Sequence, residues 1–220
     1  MPEALIISAL FPDCAATACR RIGRSTAGLY PQELSLISKA IDKRRCEFAA
    51  GRACAREALG HLGYAPMPIL QAPSRAPLWP EAILGTISHS HTWAGASVAR
   101  AEQLAGIGLD IETVDRVTMN IARKVLTGAE AAVLHDLPAD EQKAFLALLF
   151  SAKEAVYKCL ANAVRVHMGF HDAEVRKAGP SCFEVRMSPE ISQACPACEL
   201  LTGRYFFHEG CVFTGIALAA

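Results

Sequence analysis

Apolar residues recur at helical spacing, with no Gly or Pro, from Glu141 to Leu160, and this predicts one long helix. A second helix is predicted over roughly Lys43 to Leu62, where Ala and Leu separate Arg44, Arg45, Arg52 and Arg56. A shorter one runs from Pro31 or Gln32 through about Lys39, and Asn120 to Leu126 also reads as helical. Thr127-Gly-Ala-Glu130 is a capping box that opens a further helix to about Leu137. The loop from Asp136 to Asp140, with Pro138, separates it from the long helix.

The strand signals are shorter. Ala4 to Leu10 reads as a strand followed by irregular chain. Tyr64 to Pro80 holds five of the twelve prolines and predicts no regular element. Ala82 to Ala99 reads as two strands around a polar turn near His91, and Arg100 to Gln103 as a turn before a strand over Gly106 to Glu112. In the tail, Ala173–Lys177, Cys182–Met187, Leu200–Phe207 and Cys211–Leu218 alternate weakly, as strands of a second sheet would. The order of helix then sheet, twice over, suggests one unit used twice. The expected fold is therefore α+β: two similar halves, residues 1–105 and 106–220, related by a pseudo-twofold. Each would pack a long helix on a small, mostly antiparallel sheet, with a ligand cleft at the boundary.

Composition narrows the class. At 220 residues and 52% apolar, the chain has ample material for a core and is not disordered as a whole. Its formal net charge is zero, so no strong nonspecific attraction to nucleic acid or anionic membrane follows, and any phosphate site must come from local clustering. Met1 to Leu10 lacks a basic n-region, and no apolar run is long enough to span a bilayer. The expectation is a cytoplasmic protein. Nine cysteines without regular spacing suit a reducing compartment. Cys195-Pro-Ala-Cys198 has no second pair or flanking histidine to complete a zinc site, so these read as ordinary loop cysteines.

Candidate chemistry centres on Gly106-Ile-Gly-Leu-Asp-Ile-Glu112. Strand side chains alternate, so Asp110 and Glu112 share a face while Leu109 and Ile111 take the other. Two like charges this close repel unless one protonates or a cation sits between them. A hard divalent ion with oxygen ligands fits, although two ordinary acids on a solvent-facing edge would look the same. In Phe150-Ser-Ala-Lys-Glu-Ala-Val-Tyr-Lys158, Glu154 and Lys158 are i, i+4 neighbours, supplying a third carboxylate and a cation, or simply a surface pair. Arg45, Arg52 and Arg56 fall at intervals of seven and four, which stacks them in a stripe suited to phosphate oxygens. Ser88, His89 and Ser90 place hydroxyls and an imidazole at a strand end. Adjacent strand residues point to opposite faces, so a Ser-His hydrolase pair is rejected in favour of a phosphate cradle.

Taken together, G-I-G-L-D-I-E and F-S-A-K-E-A-V-Y-K resemble the paired signature of the 4′-phosphopantetheinyl transferases. Arg45-Cys-Glu-Phe-Ala-Ala-Gly-Arg-Ala-Cys-Ala-Arg56 and Arg75-Ala-Pro-Leu-Trp-Pro80, leading into Thr86-Ile-Ser-His-Ser90, are similar to that family as well. The combination resembles the larger single-chain type that activates siderophore and peptide synthetases, over roughly residues 40 to 160. The resemblance implies transfer of the phosphopantetheine arm of coenzyme A to a serine of an apo acyl or peptidyl carrier protein by a monomer. It implies that Asp110, Glu112 and Glu154 hold magnesium, or manganese, with Glu112 sometimes acting through water. Glu154 would double as base and Lys158 would steady the departing phosphate. Arg45, Arg52, Arg75, Ser88, His89, Lys153 and Lys158 would bind coenzyme A. The alternatives are a noncatalytic carrier-protein or nucleotide-binding module, or another magnesium enzyme acting on phosphates. No G-x-x-x-x-G-K is present to support a common nucleotide fold.

Overall fold

A computed structural model describes residues 7–161 and 168–220. Two long helices dominate it, α2 (Asp42–His61) and α5 (Ala139–Leu160), and four shorter ones among the described residues are α1 (Pro31–Leu36), α3 (Ala122–Val125), α4 (Gly128–Asp136) and α6 (Pro189–Ala194). Strands β1 (Ala16–Arg21), β2 (Ile83–His89) and β3 (Trp93–Arg100) form an antiparallel sheet in the order β1-β3-β2. Strands β4 (Leu104–Thr113), β5 (Ala173–Lys177), β6 (Cys182–Met187), β7 (Leu200–His208) and β8 (Cys211–Ala219) form a second, ordered β4-β8-β7-β6-β5 and antiparallel throughout.

Alternation along the strands sets the layers. In β3, Ala94, Ala96 and Val98 join Cys54, Ala58 and Leu59 of α2 in one core, while Trp93 and Ala99 face the other way. There they meet Ile107, Leu109 and Ile111 of β4 and Phe213 of β8, in a core held between the two sheets. A third core packs Leu149, Ala152 and Val156 of α5 against Val185, Leu201, Val212 and Ile216. The order is thus helix, sheet, sheet, helix, an α+β arrangement with buried apolar faces at every interface.

Gly106 and Gly108 decide how close α5 lies to β4. A Cβ at Gly106 would stand 2.4 Å from the Cys159 carbonyl oxygen, and one at Gly108 would stand 1.9 Å from that of Ala155. Backbone cannot yield to that extent, so glycine is required, and the helix settles directly on the strand. Asp110 and Glu112 continue the same face and are thereby aimed at α5.

Several expectations need correction. Of the strand expected over Ala4 to Leu10, residues 4–6 lie outside the described residues, and Ser8–Leu10 is a 3-10 turn. The edge strand is instead Ala16–Arg21, which has no apolar alternation to announce it and gains its place by pairing with β3. The helix expected through Lys39 stops at Leu36, where Ile37 leaves helical geometry with φ −116° and ψ 15°. Cys195 and Cys198 are joined in a disulfide: a 3-10 turn at Pro196–Cys198 brings their Cα atoms to 5.4 Å. The Thr127 capping box forms as read, with Thr127 and Glu130 each bonding the other's backbone amide.

Candidate active site

Three elements converge on Asp110. From β2, Ser88 Oγ donates to Asp110 Oδ1 at 2.9 Å; from α5, Lys158 Nζ donates to the same oxygen at 2.7 Å. Lys158 also donates to Ser88 Oγ and to the Leu109 carbonyl, each at 3.1 Å. β4 is the end strand of its sheet, and its free amides at Leu109 and Ile111 donate to the hydroxyls of Thr86 and Ser88. Hydroxyl side chains of β2 thus complete the edge of β4 and hold the two sheets in register at the site.

Asp110 is buried, and its Oδ2 has no hydrogen-bond partner among the described residues. Glu112 and Glu154 stand near enough to feel its charge. Burial, then the Asp110 charge, pushes Glu112 up to about 8, partly offset by Lys158. Glu154 is raised by burial and then by Asp110, again against Lys158. The three acids form a negative cluster that a single ammonium only partly balances. Among the described residues no three His, Cys, Asp or Glu side chains stand, as placed, in an arrangement that could hold a metal ion. An unpartnered buried carboxylate oxygen beside two carboxylates raised by burial and by the Asp110 charge is nevertheless a donor set suited to a hard, oxygen-seeking cation. Asp110, Glu112 and Glu154 fit such an ion, and Lys158 stands as the counter-charge already in place.

The ion pair of Lys158 is not the surface pair with Glu154 that the i, i+4 spacing also allows. Its partner is Asp110 across the helix-strand contact, because the glycine face of β4 brings the strand within reach. Ser88 is 6% exposed with its hydroxyl committed to Asp110, Lys158 and Ile111, which makes it an organiser of the acid cluster rather than an open phosphate cradle.

Directly after Ser88, at the end of β2, His89 is more open. Arg44 Nη1 donates to its Nε2, and Glu47 lies 3.8 Å from its Nδ1. Burial and then the Arg44 charge hold the imidazole below its ordinary range, which favours the neutral ring. Arg44 was not among the residues picked out by the stripe, since it lies one position off it. Arg45 borders a cavity of about 660 Å³ lined also by Arg24, Lys43, Glu47 and His91, and its buried Nε lacks a partner among the described residues. This cationic corner between α2 and the β2–β3 turn sets Arg24, Lys43, Arg44 and Arg45 against Asp42 and Glu47, with Glu47 3.6 Å from both Lys43 and Arg44.

The rest of the arginine stripe has other work. Arg52 is 3% exposed, stacks over the Phe48 ring and donates from Nε to the Ile69 carbonyl at 2.7 Å. Burial, above all, lowers its pKa to about 10. Arg56 donates to both oxygens of the buried Glu33, at 2.8 and 3.0 Å, and to the Gly28 carbonyl. The acids of α2 itself were off the stripe, but Glu33 comes from α1 and neutralises it. Arg52 is therefore buried in the fold rather than on an exposed phosphate stripe, with its Nη2 left without a partner among the described residues. Lys153 is corrected likewise: its ammonium is buried and donates to Val125 O, Glu130 Oε2 and Phe170 O at 2.7, 2.7 and 2.9 Å. Burial lowers its pKa, against the Glu130 charge. Arg75 lies on an exposed turn with φ 69°.

Comparison with known proteins places this arrangement. Residues 32–99 match the family described as the 4′-phosphopantetheinyl transferase N-terminal domain, and residues 106–208 match the 4′-phosphopantetheinyl transferase superfamily. The 4′-phosphopantetheinyl transferase Svp of Streptomyces mobaraensis is 34% identical over 87% of this chain and 79% of its own. PptT of Mycobacterium tuberculosis is 33% identical over 86% and 85%, and enterobactin synthase component D of Escherichia coli 37% over 67% and 68%. The chain belongs to the 4′-phosphopantetheinyl transferase superfamily. It is a transferase of the larger type related to the siderophore and peptide synthetase activators.

Proposed function

We propose that this protein transfers the 4′-phosphopantetheine of coenzyme A to a serine hydroxyl of an apo acyl or peptidyl carrier protein, with magnesium as the native ion and manganese as a substitute. The serine oxygen forms a bond to the pantetheine-side phosphorus of the pyrophosphate. The bond from that phosphorus to the bridging oxygen breaks, and 3′,5′-ADP leaves with the electron pair. The observation that carries this reading is the buried Asp110, with one oxygen on Lys158 and the other unpartnered, beside two carboxylates raised by burial and then by its charge, in a chain of this family.

The roles follow from the surroundings of each group. Asp110, Glu112 and Glu154 would hold the metal, which when bound supplies neutralisation of the pyrophosphate. Glu154 accepts the serine proton: a carboxylate whose basicity is raised by burial and like charge is closer to the strength that task needs. Lys158 is anchored by Asp110 and answers charge that develops on the departing phosphate. Arg44, Arg45, Lys43 and His89 receive the nucleotide end of coenzyme A at the cationic corner, and exposed Arg75 approaches it from the proline-rich loop. Ser88, on β2, and Asp110, on β4, belong to parts 1–105 and 106–220, so one chain holds a whole site, which supports action as a monomer. Coenzyme A as donor supports a cytoplasmic setting. Among the described residues no helix is long and apolar enough to cross a membrane.

The test is intact-mass measurement of a panel of apo carrier proteins incubated with coenzyme A, magnesium and this protein. A gain of one phosphopantetheine on a serine supports the reading. Bound coenzyme A with every carrier left unmodified would favour the noncatalytic module instead.

A further inference from the structure

The buried pair of Glu130 and Lys153 lies outside the acid cluster, and every polar atom of it is spoken for. Lys153 Nζ reaches Val125 O at the end of α3, Glu130 Oε2 on α4 and Phe170 O beyond α5. The Glu130 carboxylate accepts from the Thr127 and Val175 amides, both at 2.7 Å, so it also fixes the start of α4 and the middle of β5. The two side chains are 2% and 1% exposed. Four segments are thereby tied to the residue that immediately precedes Glu154. One of them, Met168–Phe170, forms with Glu154 and Tyr157 the wall of an apolar pocket of about 290 Å³.

Resting on the transferase reading above, we propose that Glu130 and Lys153 are a positioning pair. They hold Glu154 and the Met168–Phe170 wall in one fixed relation, so that the carboxylate meets a hydroxyl presented from that pocket. A pair serving stability alone needs no such link. Buried ion pairs are commonly matched in stability by neutral replacements, so the charge and its three-way geometry are retained here for placement. The consequence is a residue pair outside the acid cluster that governs turnover through the placement of Glu154.

The experiment uses Glu130→Gln/Lys153→Met. It removes both charges together, avoids stranding one of them, and keeps a glutamine able to serve the Thr127 capping box. The double variant is expected to fold, with a thermal midpoint lowered by only a few degrees, about 2–4 °C for a chain of this size. Its coenzyme A affinity by calorimetry should be unchanged, while kcat with an apo carrier falls about 10- to 100-fold, as for other supporting partners of a reacting group. Hydrogen exchange of the folded variant should lose protection at Asp172 and Val175. A folded double variant with wild-type kcat and unchanged exchange over 168–177 overturns the proposal. Wild-type protein that modifies no carrier would instead overturn the transferase reading, and the exchange arm would still decide whether the pair holds the wall.

Discussion

Lys158 of α5 donates to Asp110 Oδ1 of β4 at 2.7 Å, while Asp110 Oδ2, on the same buried carboxylate, is left without a partner among the described residues. The ammonium holds one oxygen in place, and the other stays available next to Glu112 and Glu154.

This relation reverses a simple expectation from repulsion. Removing one acid from a crowded trio ought to relieve the metal-free protein, but Asp110 is also the acceptor for Ser88 and Lys158. Asp110→Ala is therefore expected to destabilise the metal-free protein by about 1–3 kcal/mol, the cost of stranding a partly buried hydrogen-bonded cation, and to abolish transfer. Urea denaturation in chelator measures it. An unchanged or increased midpoint would mean that repulsion dominates.

Glu112 makes the metal-free protein sensitive to alkali. Its folded pKa is about 8 against an ordinary 4.5, so between these values the folded chain binds more protons than the unfolded one. Stability is then greatest below the unfolded value and falls as pH rises toward 8. Thermal midpoints in chelator should drop from pH 5.5 to 8.5, and Glu112→Gln should flatten the drop. A midpoint that rises over this range in wild type contradicts the assignment.

The glycine face of β4 is a structural requirement of the site. Gly108→Ala sets a methyl 1.9 Å from the Ala155 carbonyl oxygen and is expected to cost about 3 kcal/mol, at the upper end of overpacking, and to disrupt transfer with every acid intact. Gly60→Ala meets nothing within 4 Å and should be neutral or stabilising by about 0.5–1 kcal/mol. Equal midpoints for the two variants would show that α5 does not need the close approach.

The arginines of α2 divide by burial. Arg52→Ala should lower stability by about 1–3 kcal/mol, leaving the Ile69 carbonyl without its donor, with coenzyme A affinity of the folded fraction little changed. Arg45→Ala should do the reverse. Calorimetric titration with coenzyme A alongside denaturation separates them, and loss of affinity confined to Arg52→Ala would restore the phosphate stripe.

Much of this was legible in the chain. The alternation of Leu109 and Ile111 against Asp110 and Glu112, and the 3.6-residue period around Glu154, gave the faces correctly, because the two cores they enter are continuous and apolar. The failures share one cause. Arg52, Arg56 and Lys153 find their partners across the fold, in Ile69, Glu33 and Glu130. Spacing along a helix states which side chains share a face, but not what that face meets. The edge strand Ala16–Arg21 was missed for the same reason, being defined by its neighbour rather than by its own pattern.

The central claim is that Glu154 is the base in an acid cluster whose counter-ion is Lys158. The most direct measurement is the rate of phosphopantetheine addition to an apo carrier, by intact mass, across a magnesium titration for wild type, Glu154→Gln and Lys158→Ala. The account predicts loss of turnover in Glu154→Gln that excess magnesium restores only in part. Lys158→Ala should lower turnover with a metal midpoint displaced less than that of Glu154→Gln. Full recovery of Glu154→Gln at high magnesium, or addition to the carrier at wild-type rate by either variant, would contradict it.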